Sequence, residues 1–136
     1  MKRIEYFELL EQLFTFKTIR DEKGNEYIVS ESNPMDSVTN IEDKTAFEAV
    51  ENHIHLLDNI KKQEFERLVP VAKTLAQTLA YSLSKQFPDK KFFVYASLKR
   101  NDSMILRFHQ KWEQEEPYYT ASDFNTETER IFVYEI

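Results

Sequence analysis

Arg107 and His109 lie two apart in a segment of alternating polarity, so on a strand both side chains project from one face. An arginine that holds an anion beside a histidine that moves a proton is an elementary acid–base arrangement. Tyr95 or Ser97 on a neighbouring strand could stand opposite them. The competing expectation is a solvated outer sheet face, where such residues are common. Spacing places no third group of evident role there, so no catalytic residue is assigned, and Tyr95, Arg107 and His109 stand as an alternative small-ligand or enzyme face.

Glu51, His55 and Asp58 follow at i, i+4 and i+7, one stripe of a helix if that stretch is helical. Three such groups could hold a divalent ion. The stripe lies away from Phe47, Val50, Ile54 and Leu57, which makes a solvated face the better expectation. His53 and His55 are two apart and would diverge on a helix. No metal and no cofactor are expected.

Lys85, Lys90, Lys91, Lys99 and Arg100, with Phe92 and Phe93 among them, could neutralise phosphates and stack bases. A sequence pI near 5.1 stands against nucleic acid, and Phe92 is better used in a core.

The least ordinary segment is Trp112 to Tyr119, followed by Asp123. It concentrates Glu113, Glu115 and Glu116 with Trp112, Tyr118 and Tyr119, and Pro117 restricts its backbone. Tyrosine and tryptophan are favoured interface anchors. Clustered carboxylates speed capture of a basic partner. Trp112, Glu113, Glu115, Glu116, Tyr118, Tyr119 and Asp123 are therefore the expected partner-binding residues. The bland alternative puts Trp112 and one tyrosine in the core and leaves the glutamates solvated.

Composition narrows the classes. Gly24 is the only glycine, where about 7% is usual. Dinucleotide fingerprints, phosphate loops and nucleophile elbows all need several glycines and are excluded. With no cysteine there is no disulfide, thiolate metal site or thiol nucleophile. The first thirteen residues carry Glu5, Glu8 and Glu11, unlike a secretory leader. No run of 18 apolar residues occurs, so a soluble, cytoplasmic protein with no membrane partner is expected. Residues 1–112 are charge-neutral, and the net charge of −6 resides in residues 113–136, where only Arg130 is basic.

The elements that must position these groups follow from periodicity. Residues 1–136 are expected to form one globular domain. Ile4, Phe7, Leu10, Leu13 and Phe14 have helical spacing. Residues 16–20 and 26–30 around Gly24 predict a hairpin. Residues 31–40 predict a loop, with Thr39 or Asn40 capping a helix that runs through Leu57. Residues 71–86 predict the clearest helix, and Pro70 either kinks it or starts it. Residues 92–98, 103–112 and 131–136 alternate as strands. The expectation is an α+β fold, an antiparallel sheet with helices packed on one face.

Compact acidic proteins without catalytic constellations include inhibitors such as the immunity proteins that bacteria use against toxic nucleases. The profile favours that class, a protein that neutralises a basic partner by steric and electrostatic blocking. A third possibility is a structural subunit that forms homo-oligomers through the final strand. That would be excluded if the strand lay in the middle of the sheet.

Overall fold

The computed structural model describes Ile4, Glu8 and residues 11–119 and 125–136. The expected helical positions Phe7 and Leu10 lie outside these residues, and so does Asp123. The fold is α+β, and among the described residues two antiparallel sheets and two helices are delimited.

The hairpin is where alternation predicted it. β1 (Phe16–Arg20) pairs with β2 (Glu26–Ser30). Gly24 takes φ +85° in the turn, a conformation that L side chains adopt at a cost. The Asp21 carboxylate accepts from the backbone N–H groups of Lys23 and Asn25 and from the Tyr27 hydroxyl. That side chain substitutes for backbone partners the turn lacks.

The first described helix is shorter than its apolar spacing suggested. α1 (Lys44–Glu51) starts at Asp43, whose side chain accepts from the Ala46 N–H at 2.9 Å. Thr39 and Asn40 are not its caps. It stops at Asn52, and His53–Leu57 forms strand β3. In β3, Ile54 and Leu56 are buried while His53, His55 and Leu57 face out, a period of two. Ile54 met both a 3.6-residue and a two-residue pattern, and burial in the sheet decided between them. The helical stripe of Glu51, His55 and Asp58 therefore does not exist. Among the described residues no group of three potential ligands converges on a metal position.

α2 (Lys62–Gln86) is one continuous 25-residue helix that runs through Pro70. Pro70 is exposed, so its ring meets solvent and not the sheet. β4 (Phe92–Lys99), β5 (Met104–Gln110) and β6 (Glu129–Glu135) complete a four-stranded antiparallel sheet in the order β3-β5-β4-β6. Phe92, Val94, Ala96, Leu98, Leu106 and Phe108 point to one face and pack against Ala72, Ala76, Leu79 and Leu83 of α2. The alanines let the helix axis approach β4 closely. Complete burial of a leucine such as Leu79 or Leu83 contributes roughly 1.5–3 kcal/mol. Phe93, Tyr95, Arg107 and His109 occupy the opposite face. None of the described helices is long and apolar enough to cross a membrane.

Candidate functional site

The Tyr95, Arg107 and His109 face is neither solvated nor concave. Tyr95 is 0% and His109 1% exposed. The chain leaves β5 at Gln110, turns through Glu113 and Gln114, and returns across this face, where Tyr118 and Tyr119 pack against Phe93, Tyr95 and Ile131. Gln114 has φ +63°, the left-handed backbone that makes this reversal. Arg107 donates to the Ala49 carbonyl and lies 5.0 Å from the centre of the Tyr118 ring.

The ring roles in this cluster are determined by its acceptors. His109 Nδ1 is 2.7 Å from the Gln110 carbonyl, so it carries the proton. Nε2 then accepts, and the Tyr95 hydroxyl donates to it at 2.8 Å. Burial holds His109 below its ordinary pKa and pushes the Tyr95 hydroxyl up to about 12. The histidine is thus held between a phenol and a carbonyl, with both rings buried.

Beyond Gln110 the same chain segment is anchored by a group that spacing did not single out. Glu48 of α1 is 0% exposed and accepts four hydrogen bonds. They come from the Ile28 N–H, the Gln110 N–H, the Gln110 side-chain amide and Trp112 Nε1, at 2.7–2.9 Å. One carboxylate thus ties β2, α1, β5 and the 112–119 segment together. Burial pushes its carboxyl up to about 7, against the opposing pull of the four donors. The neighbouring Asn52 donates to the Ile28 carbonyl, and its Oδ1 is buried without a partner among the described residues. The available signal was an acid in the otherwise apolar stretch Ala46-Phe47-Glu48-Ala49-Val50, which binary patterning treats as solvated.

The structure divides the expected partner-binding residues. Trp112 is half-buried, 5.3 Å from the Tyr27 ring centre, with its N–H on Glu48. Tyr118 and Tyr119 are half-buried on the sheet. Glu115 accepts from the backbone N–H groups of Lys44 and Thr45, and so caps α1 from another part of the chain. Partial burial raises its pKa, but the bonds from Thr45 and Lys44 and the Lys44 ammonium outweigh this and hold it below the usual range. Glu113 and Glu116 are exposed. Glu115→Ala should cost about 1 kcal/mol, the usual worth of a lost cap, read as a lower denaturant midpoint at unchanged m-value.

Glu116 borders a groove of about 560 Å³ between this segment and the start of α1. Four of its lining residues are acids, Glu42, Asp43, Glu115 and Glu116, and none is basic. Pro117 and Tyr118 supply its apolar wall. Asp43 and Glu115 are committed to capping α1, while Glu42 and Glu116 are exposed. Glu42 and Asp43 were not among the expected partner residues, because their approach to Glu116 exists only after folding.

No curated protein and no solved structure matches the chain. Residues 4–136 match the Uncharacterized protein PM0498 family, and the chain belongs to that family.

Proposed function

We propose that this protein binds and blocks a basic protein partner, in the manner of a small immunity-type inhibitor of a toxic enzyme such as a nuclease. The observation that carries the reading is the acid-lined groove at the start of α1, with the Tyr118 wall beside it. A lysine or arginine side chain of the partner would lay its aliphatic stem on Pro117 and Tyr118 and bring its charge to Glu42 and Glu116. Glu113 extends the negative field along the same segment. Inhibition follows from occupying the partner's basic substrate surface, so no group of this chain reacts.

The test is capture from the native host with the wild-type protein and with Glu42→Lys/Glu113→Lys/Glu116→Lys as parallel baits. A basic protein should be retained by the first and lost from the second, and its association rate should fall by about 10–100-fold. A partner held equally by both baits, at the same association rate, would remove the reading.

Self-association through β6 is a second reading. It draws support from that strand's position at the sheet edge. Sedimentation equilibrium that returns the monomer mass over a wide concentration range would exclude it.

A further inference from the structure

We infer that a second groove, lined by Lys44, Lys90, Lys91 and Lys111 with Trp112 in its wall, binds a small ligand through an oligophosphate group. The groove measures about 600 Å³. Its four lysines come from α1, from the turn between α2 and β4, and from the end of β5, so only the fold brings them together. In a chain of net charge −6 such a convergence is local and opposite in sign to the whole.

The lysines are available. Lys90 and Lys91 take part in no ion pair among the described residues. Lys111 is 2.7 Å from Glu135, but both side chains are about half exposed, and such pairs exchange readily for a stronger anion. Lys44 stands 3.9 Å from Glu115, whose oxygens are already taken by backbone N–H groups. Two acids, Asp89 and Glu113, share the lining. A singly charged carboxylate ligand would gain little over them, whereas a di- or triphosphate meets several ammonium groups at once.

The surroundings also limit ligand length. Glu113 lies within the groove, and Glu115 and Glu116 follow it along the chain toward the acid-lined groove. A long polyanion leaving the lysines in that direction would meet these carboxylates. A compact oligophosphate would not, so a small molecule fits better than a nucleic-acid strand. The site shares Glu113 with the partner-binding reading, but none of its four lysines lines the neighbouring groove which that reading uses.

Trp112 is the only tryptophan, so its emission reports on the groove. The experiment titrates the full chain with sodium tripolyphosphate at constant ionic strength, following fluorescence and, separately, heat. Saturable binding is expected, weakened about tenfold in Lys90→Gln/Lys91→Gln and in Lys111→Gln, and unchanged in Lys62→Gln on exposed α2 surface. Thermal melts confirm that each variant is folded. Lack of saturation, equal binding by the groove variants, or an equal response to sulfate would overturn the proposal. Tighter binding of a single-stranded oligonucleotide would overturn it too, by reassigning the lysines to a polymer.

Discussion

Replacing Glu48 with alanine is expected to lower the unfolding free energy by about 3–5 kcal/mol, because it removes the acceptor of four hydrogen bonds at once, three of them buried. In a chain of this length that is a fall in melting temperature of roughly 10–15 °C, measured by circular dichroism. Glu48→Gln should cost less, about 2 kcal/mol, since its oxygen still accepts while its amide faces donors. A loss below about 1 kcal/mol for the alanine variant would show that water satisfies the donors and that the carboxylate does not hold the elements together.

The same residue sets a pH dependence. Glu48 titrates near 7 in the folded protein and near its ordinary 4.5 in the unfolded chain. Between those values the folded state keeps a proton that the unfolded state has lost. Stability therefore falls as pH rises through that window and levels off above it, by on the order of 3 kcal/mol. His109 acts in the opposite sense, since its folded pKa is depressed and its contribution is lost on acidification. Comparing wild type with Glu48→Gln cancels the histidine. The difference in stability between the two should change between pH 4.5 and 7, and a constant difference across that window would contradict the assignment.

Trp112→Ala is the second large effect, with an expected loss of about 3 kcal/mol. The indole fills space against Tyr27 of the hairpin cluster and supplies one of the four donors to Glu48. Trp112→Phe keeps most of the packing and loses the donor, so it should cost about 1–2 kcal/mol. The functional consequence is local. Trp112 fixes the start of the segment that carries Glu113, Glu115 and Glu116, so its loss should raise amide hydrogen exchange across residues 112–119. Unchanged exchange in that segment would mean that Tyr118, Tyr119 and Glu115 hold it unaided.

Apart from β3, the strands were legible because successive side chains alternate between the two faces of a sheet. Phe92, Val94, Ala96 and Leu98 alternate with Phe93, Tyr95 and Ser97, and β4 forms on that pattern. The turn at Gly24 was legible because a single residue of the chain tolerates φ +85° at no steric cost. The helix over 71–86 was legible from composition, and it extends back to Lys62 because tertiary packing of Phe65 outweighs the proline that follows.

The site was half legible. Residues 112–119 stand out by composition alone, and their role as a distinct segment follows from it. Which side they turn to solvent did not follow. Trp112, Tyr118 and Tyr119 found buried partners on the hairpin and on the outer sheet face, so Glu113, Gln114 and Glu116 are the residues of the segment left exposed. Arg107 and His109 share a face as their spacing required, but the covering chain converted that face from a surface into an interior.

By itself, then, the sequence determined the α+β class, the strand alternation, the absence of glycine-loop chemistry and the location of the net charge. These depend on residue type and on neighbours along the chain. The tertiary structure alone decided that Glu48 is a buried junction, that β3 is a strand, and that Glu42 joins Glu116 while Lys44 joins Lys90, Lys91 and Lys111. Each of those depends on contacts between residues distant in the chain, where burial and charge proximity, not local pattern, set the energy.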